Sequence, residues 1–313
     1  MRKNILITGI SGFVGTNLVD YFKQFENHTL YGLDIVNVDI EGVEKVFSWE
    51  NLNDVGSMDI VIHLAGKAHD LKNTTEEQIY FDINYGLTKE IFDWYLSSTC
   101  SQFYLMSSVK AVADVVHGEM LCEDDIPNPI TAYGRSKLKA EEYILNKNVP
   151  KGKSFYIFRP CMIHGPGNKG NLNLLYSIVS KGIPWPLGAY SNERSFVSIQ
   201  NLCFVFNCFI GELPESGIYN IADDESLSTN EIIKLIYDSK DKVERIWNLP
   251  KGFINSMAKV GDVCRLPFNK ERLQKLTENY RVSNKKLLSV LKKDLPKSSV
   301  EGMKLTLESF KCN

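Results

Sequence analysis

The stretch TGISGFVG, residues 8–15, follows an apolar run at residues 4–7 and precedes a helical pattern. It places glycines at positions 9, 12 and 15, and each has a separate use. Gly9 permits a tight turn, Gly12 lets the backbone approach a pyrophosphate, and Gly15 lets the helix pack closely on the strand. The N–H groups at the positive end of that helix can then bind the phosphates. A glycine triplet at the first strand–helix junction therefore predicts a dinucleotide-binding site.

A second apolar run, residues 29–34, ends in Asp34, nineteen residues beyond Gly15. A carboxylate at this place can accept hydrogen bonds from both hydroxyls of the adenosine ribose and repels a 2′-phosphate. We therefore expect NAD as the cofactor rather than NADP.

The alternation of strands and helices predicts the fold class. Further apolar runs stand at residues 59–65, 103–108 and 155–160, and helical patterns lie near 13–25, 76–97 and 131–147. Such an order predicts parallel βαβ units, and hence an α/β fold with a Rossmann-like, doubly wound parallel sheet. We expect residues 1–160 to form the NAD-binding Rossmann domain, with 195–210 returning to it. Residues 161–313, with helical patterns at 229–238, 269–276, 284–292 and 299–310, are expected to form mainly a smaller C-terminal substrate lobe.

The composition points to no macromolecular partner. The 313 residues include 36 basic and 38 acidic side chains, for a net charge of −2. Such a chain has no overall field that attracts nucleic acid or an anionic membrane, and no stretch approaches the ~18 apolar residues of a membrane span. We expect neither partner, and a cytoplasmic location. The seven cysteines form no CxxC pair and the five histidines show no metal-ligand spacing, so we expect reduced thiols and no metal.

A second group of residues can carry acid–base chemistry. Tyr133 and Lys137 lie four residues apart in AYGRSKLKAEEYI and share one face of a predicted helix. Ionising a phenol of pKa ~10 at pH 7 costs about 4 kcal/mol, and an ammonium at ~4 Å returns an amount of that order. Tyr133 could thus exchange a proton with a hydroxyl or ketone while a hydride moves to or from the cofactor. Ser107 and Ser108 end the preceding strand, where a hydroxyl can hydrogen-bond the reacting oxygen.

These motifs, together with DIVIHLAG, FDINYGLTK and FRPCMIHGPG, resemble the extended short-chain dehydrogenase/reductases over roughly residues 3–202. This is the NAD-dependent epimerase/dehydratase group that acts on nucleotide sugars. The resemblance implies that Ser108, Tyr133 and Lys137 form a catalytic triad with Tyr133 as the acid/base. It also implies a homodimer through a four-helix bundle that includes the helices near 80–97 and 134–146. Residues from three places in the chain would line the cofactor beside the glycines and the triad, namely Phe13, Val14, Leu64, Ala65, Gly66 and Asn84.

Departures from the family pattern narrow the range of reactions that the resemblance implies. Members that dehydrate a sugar carry an Asp-Glu pair just after the catalytic hydroxyl, where this chain has Val109 and Lys110. Common epimerases have an Asn three residues after the Arg that matches Arg159, and this chain has Met162 there. The stretches SSVKAVAD, GPGNKGN and LTENYRVSNKKL resemble instead a bacterial subgroup that reduces UDP-4-keto-6-deoxy-N-acetylhexosamines or is described as related 4-epimerases.

The subgroup resemblance also implies a substrate site. Lys169, Asn171 and Arg194 would hold the nucleotide diphosphate, and a Gly-rich loop with a lysine and an arginine fork suits phosphate. Ser107, Ser108 and Arg159 complete the expected substrate set. The leading hypothesis is an NAD-dependent 4-ketoreductase of a UDP-4-keto-6-deoxy-N-acetylhexosamine. A UDP-N-acetylhexosamine or UDP-hexose 4-epimerase stays open as the alternative. A non-catalytic dinucleotide sensor is the third hypothesis. A sensor needs no acid/base, so the presence of Ser108, Tyr133 and Lys137 speaks against it.

Overall fold

The computed structural model describes residues 2–25, 27–36, 38–68, 76–168, 171–264, 266 and 268–311. Its main feature is a seven-stranded sheet of β1 Lys3–Thr8, β2 His28–Asp34, β3 Lys45–Ser48, β4 Ile60–His63, β5 Gln102–Met106, β6 Ser154–Pro160 and β9 Gly217–Ile221. The strands lie in the order β3-β2-β1-β4-β5-β6-β9, and every pairing is parallel. A separate parallel pair joins β7 Met162–His164 to β8 Phe196–Ser198.

Helices cover both faces of the sheet and build the second lobe. They are α1 Phe13–Lys23, α2 Glu77–Tyr80, α3 Leu87–Ser97, α4 Ala132–Leu145, α5 Asn171–Ser180, α6 Ile199–Glu212, α7 Thr229–Ser239, α8 Lys251–Val263, α9 Lys270–Thr277, α10 Lys285–Leu291 and α11 Ser299–Ser309. A π-helical segment, Phe81–Gly86, joins α2 to α3, and short 3₁₀ segments lie at Trp49–Asp54 and Val109–Ala111.

Side chains alternate between two covered faces along the central strand. Ile5 and Ile7 of β1 belong to the core cluster that includes α1 and α6, whereas Leu6 belongs to the cluster that includes α3 and α4. All three are fully buried. This period of two, with apolar residues on both faces, is what a parallel sheet between two helix layers requires. The predicted doubly wound α/β fold is confirmed.

The strand order locates the crevice in which ligands bind. The chain runs from β1 outward through β2 to β3 and then returns to place β4 on the other side of β1. The carboxyl ends of β1 and β4 therefore face the switch point at which such sheets bind ligands.

The second lobe has its own core. Helices α5, α7, α8, α9 and α11 each contribute to one apolar cluster, with Leu172, Ile232, Ile254, Leu273 and Met303 among its buried members. None of the helices in the described ranges combines the length and apolarity needed to span a bilayer.

Two elements beyond residue 160 pack with the Rossmann sheet. β9 continues that sheet, and α6, which overlaps the segment 195–210 expected to return to the first domain, packs in the same core as α1. The sequence pattern did not indicate β9, because five residues that begin with Gly217 carry too little periodicity. Helices α5 and α8 were also missed. In α8, apolar residues occur on both faces and obscure the helical period.

Candidate active site

The glycine loop is closely packed at each of its three glycines. Gly9 has φ +66°, and a Cβ there would lie 2.8 Å from the backbone of Ala65. A Cβ on Gly15 would lie 2.4 Å from the carbonyl oxygen of Ile10, which fixes how near α1 approaches the strand. The N–H of Gly12 donates to the carbonyl of Gly9 at 3.0 Å and closes the turn. Only glycine satisfies these positions without a backbone shift.

The start of α1 is suited to an anion. Its N-cap residue, Gly12, has no side chain to hydrogen-bond the first N–H groups of the helix. Phe13 and Val14 follow, and both side chains pack against the sheet core, so these residues offer the loop backbone rather than polar side chains. Together with the glycines, this arrangement fits the pyrophosphate of a dinucleotide.

Asp34 lies at the end of β2 beside the glycine loop. One carboxylate oxygen accepts hydrogen bonds from the backbone N–H of Ser11 at 3.0 Å and from its hydroxyl at 2.8 Å. The other accepts from the N–H of Ile35 at 2.7 Å. The carboxylate is thus held next to the loop, as a ribose ligand would be. Ser11 was missed by sequence reasoning, although a hydroxyl between Gly9 and Gly12 was a usable signal.

A chain of hydrogen bonds joins the glycine loop to the next strand. The Thr88 hydroxyl donates to the carbonyl of Asn84 at 2.7 Å, so it accepts from Nε2 of His63 at 3.0 Å. Nδ1 of His63 then accepts from the Thr8 hydroxyl at 2.6 Å, and this hydroxyl accepts from the N–H of Ala65 at 3.0 Å. Burial, and after it the charge of the nearby Lys137, lower the pKa of His63 to about 3. His63 is therefore a neutral structural residue.

Asn84 joins the loop after β4 to helix α4. Its side-chain oxygen accepts from the N–H of Lys67 at 2.8 Å, and its amide nitrogen donates to the hydroxyl of Ser136 at 2.9 Å. Asn84 is fully buried. Its side-chain polar atoms hold in place the loop that carries Leu64, Ala65 and Gly66, and the place of Asn84 beside the cofactor stays a prediction. A Cβ on Gly66 would lie 3.0 Å from the ammonium nitrogen of Lys137, so Gly66 keeps the space beside that group open.

The structure brings the predicted triad together at the start of α4. Thr131 caps this helix by accepting from the N–H of Gly134 at 3.2 Å. Tyr133 stands in its first turn, half-buried, and Lys137 lies one turn later. Ser108 follows β5 and is hydrogen-bonded to Tyr133, and this bond lowers the Tyr133 pKa. A serine, a tyrosine and a lysine from two different elements thus meet at the carboxyl edge of the sheet.

The electrostatics of the triad differ from the expectation. Burial raises the pKa of Tyr133 above its ordinary value, and the bond from Ser108 offsets only part of that rise. Burial also lowers the pKa of Lys137 to about 8, although the negative charge of Glu141 acts to raise it. The Lys137 ammonium donates to the carbonyl of Met106 at 2.9 Å. We expected Lys137 to stabilise the ionised phenol, but the largest influence on the Tyr133 pKa is removal of the phenol from water, which acts in the opposite direction. Tyr133 is therefore a protonated acid at neutral pH.

Ser107 and Arg159 both contact the buried carboxylate of Glu141. The guanidinium of Arg159 donates to Glu141 from Nη2 at 2.6 Å and from Nε at 3.1 Å, and the Ser107 hydroxyl donates to the same carboxylate. Arg159 is 2% exposed and Glu141 is 0% exposed. The bonds to Glu141 give both residues a structural role, and the substrate contact expected of them stays a prediction. Glu141, the residue that engages them, was missed. The signal for it was an acid on the buried face of α4, one turn beyond Lys137.

Of the three residues predicted to hold the diphosphate, the structure describes the side chain of Arg194 alone. Lys169 lies outside the described residues, and so does the side chain of Asn171. Arg194 is half-buried, and its guanidinium donates to the carbonyl of Lys275 at the end of α9. Burial lowers the pKa of Arg194 from its ordinary value. A partly dehydrated cation of this kind gains from an anionic ligand.

The place where dehydratases carry two carboxylates holds none here. Val109 is buried in a small apolar cluster. The ammonium of Lys110 donates to the carbonyl of Asp114 at 2.7 Å and lies 4.2 Å from the centre of the Tyr280 ring. In the described ranges, no three His, Cys, Asp or Glu side chains gather as metal ligands would.

The fold and the site define a short-chain oxidoreductase that binds a dinucleotide at the switch point and carries a Ser–Tyr–Lys triad. The model of the NAD dependent epimerase/dehydratase family matches residues 5–222. The chain belongs to this family and is an enzyme that uses NAD. Both expectations from the sequence are confirmed.

Two relatives and one solved structure illustrate the range of similarity. A UDP-glucose 4-epimerase of Vibrio cholerae is 28% identical, covering 99% of this chain and 96% of the relative. A GDP-6-deoxy-D-mannose reductase of Pseudomonas aeruginosa is 24% identical, covering 76% and 80%. The structure of the Bordetella bronchiseptica enzyme WbmG in complex with NAD and UDP superposes with a TM-score of 0.75 at 14% identity, covering 100% of this chain and 96% of that one.

Proposed function

We propose that the protein transfers a hydride at C4 of a hexose carried by UDP, with Tyr133 as the acid/base. The observation that carries the proposal is the hydrogen-bonded Ser108–Tyr133 pair one helical turn from Lys137, beside the glycine loop. The relative from V. cholerae acts on a UDP-sugar by its name, and the WbmG structure contains UDP. These names support UDP as the nucleotide.

Each group of residues has a separate task in this proposal. The glycine loop and the first turn of α1 bind the pyrophosphate, and Asp34 exchanges its bonds to Ser11 for the ribose hydroxyls. When bound, NADH donates the hydride and NAD+ accepts it. Ser108 orients the sugar oxygen, and Tyr133 passes its proton to that oxygen or takes it back. Arg194 would bind the diphosphate. The negative charge would compensate for the water that the partly buried guanidinium has lost.

Within this chemistry we propose the 4-ketoreductase as the leading activity. The protonated phenol of Tyr133 can donate to a ketone oxygen, a step that reduction and epimerisation share. Val109 and Lys110 provide no carboxylate for a dehydration, so the ketone would come from another enzyme that dehydrates the sugar. Met162 lies on β7 and packs against the core of the second lobe, so it adds no amide to the sugar site. The substrate proposed is a UDP-4-keto-6-deoxy-N-acetylhexosamine.

A 4-epimerase is the second candidate. It is favoured by the V. cholerae relative, which matches almost the full length of both chains. An epimerase uses the same Tyr133 proton transfer but returns the hydride to the opposite face of a rotated ketone. The two activities differ in whether the oxidised cofactor leaves after one transfer.

We also propose a homodimer through the helices over residues 80–97 and 134–146, which comprise the π-helical segment, α3 and α4. An open recess of about 680 Å³ on the outer surface is lined by residues of α2, of the π-helical segment and of α4, among them Glu77, Phe81, Tyr85 and Lys139. A partner helix could place side chains there. Light scattering of the purified protein measures the mass directly, and a monomer at all concentrations would refute the dimer.

The activity test supplies a UDP-4-keto-6-deoxy-N-acetylhexosamine with NADH and follows NADH absorbance together with the mass of the product. A reductase consumes one NADH for each sugar reduced, and Tyr133→Phe is the inactive control. The counter-test supplies UDP-N-acetylglucosamine or UDP-glucose without added NADH. If the galacto epimer forms with no net change in NADH, the epimerase replaces the reductase. If neither substrate reacts, both assignments are refuted.

A further inference from the structure

Exposed apolar side chains are concentrated in one segment of the second lobe. In residues 243–266, the side chains of Val243, Trp247, Phe253, Met257, Val260, Val263 and Leu266 are all exposed, and Val263 is 84% exposed. Single exposed apolar residues are ordinary, but a cluster of this size marks a surface that contacts something apolar.

The centre of this cluster is helix α8, which has two apolar faces. Ile254 and Ala258 are buried and hold the helix to the core of the second lobe. Phe253, Met257 and Val260 have the spacing i, i+4, i+7 and share a different face, on which each is about half exposed (55%, 46% and 55%). We call these three residues the α8 face. The core of the lobe needs only the first set, so its folding does not explain the α8 face.

Hydrogen bonds and a close packing contact hold the backbone around α8 in place. The N–H of Trp247 donates to the carbonyl of Trp185 at 2.8 Å, and the N–H of Trp185 donates to the carbonyl of Arg245 at 2.8 Å. Gly261 brings α8 against the turn before α9 so closely that a Cβ there would lie 1.8 Å from the carbonyl oxygen of Phe268. The α8 face is therefore a fixed part of the lobe.

The charge of this segment differs from that of the whole chain. Residues 240–275 carry nine basic and four acidic side chains, whereas the full chain has 36 basic and 38 acidic ones. Two of the four acids are paired, Asp262 with Lys270 at 3.8 Å and Glu271 with Lys275 at 2.7 Å. Lys251 and Lys259 on α8 itself are exposed. An excess of positive charge thus surrounds the apolar residues.

We propose that the α8 face docks the protein on the surface of an anionic lipid bilayer. A helix with an exposed apolar face and nearby lysines is suited to the boundary between headgroups and acyl chains. The aromatic side chain of Trp247 suits the same boundary, and lysines near an anionic leaflet each add attraction. A second copy of this chain fits less well, because a twofold contact would bring two positively charged segments together. The inference revises the expectation of no membrane partner and does not depend on the sugar or on the reaction.

The test is co-sedimentation of the full-length protein with two kinds of vesicles, one of phosphatidylcholine alone and one of phosphatidylcholine mixed with phosphatidylglycerol. We expect binding to the mixed vesicles that weakens as salt is added. The combined variant Phe253→Gln, Met257→Gln, Val260→Gln should bind at least about tenfold less tightly. The charge variant Lys251→Glu, Lys259→Glu should lose the preference for phosphatidylglycerol.

The matched control is Leu174→Gln, which changes an exposed leucine (55% exposed) on helix α5. It should bind vesicles as the unchanged protein does. Thermal unfolding and NAD binding of every variant confirm that the fold is retained. Three results would overturn the proposal. The first is no binding to mixed vesicles, and the second is equal binding by the unchanged protein and the triple variant. The third is a larger assembly in solution that the triple variant dissolves, which would assign the α8 face to a second copy.

Discussion

Replacing Glu141 by glutamine tests how the site is held together. The change keeps the size of the side chain and one acceptor oxygen but removes the charge that faces Arg159. Because Ser107 donates to the same carboxylate, the substitution also loosens the strand end that carries Ser108.

The magnitude follows from burial. Nη2 of Arg159 lies 2.6 Å from Glu141, and the two side chains are 3% and 0% exposed. Removing one partner of a buried ion pair costs about 3–5 kcal/mol, because the remaining charge is left buried without compensation. Glutamine still accepts one hydrogen bond, so we expect the lower end, about 3 kcal/mol. This is a large share of the free energy of unfolding of a typical protein, roughly 5–15 kcal/mol.

The assay is urea unfolding, read as the free energy of unfolding, with Glu142→Gln as the control. Glu142 is the exposed neighbour on the same helix, and its change should stay within about 0.5 kcal/mol. The double variant Glu141→Leu, Arg159→Met should recover most of the loss, since apolar residues of similar volume can replace a buried pair. A loss below about 1 kcal/mol in Glu141→Gln, or no recovery in the double variant, would refute the reasoning.

Three further predictions concern catalysis and the cofactor. Tyr133→Phe should lower kcat by about 10²–10⁴ while NAD affinity, measured by titration calorimetry, stays unchanged; near-normal turnover would remove Tyr133 as the acid/base. Asp34→Ala should weaken NAD binding about tenfold or more and narrow its advantage over NADP, and the assignment fails if the unchanged enzyme binds NADP as tightly as NAD. The rate should fall as pH rises through about 8, because burial lowers the pKa of Lys137 to about 8 and the ammonium is lost above that pH. Glu141→Gln should shift this limb to lower pH, since the charge of Glu141 raises the Lys137 pKa; an unmoved limb in the pH–rate profile would contradict the assignment.

The sequence by itself determined the features that depend on neighbours along the chain. The turn at Gly9 and the close packing at Gly15 are local requirements of a strand–turn–helix unit, so a glycine triplet reveals them. The spacing of Tyr133 and Lys137 places both on one helix face by the helical period alone. Alternating apolar runs and helices likewise define the doubly wound sheet, because each βαβ unit is contiguous in sequence.

Only the tertiary structure decided what depends on burial and on distant partners. Ser107 meets Glu141 across 34 residues, and Thr8 meets His63 across 55. No local pattern indicates such pairs, so the sequence did not reveal that Arg159 belongs to a buried ion pair. The raised pKa of Tyr133 follows from removal of the phenol from water, which spacing does not reveal. The exposed α8 face follows from how α8 packs, because a helix with apolar residues on two faces has no period that tells which face the core will cover.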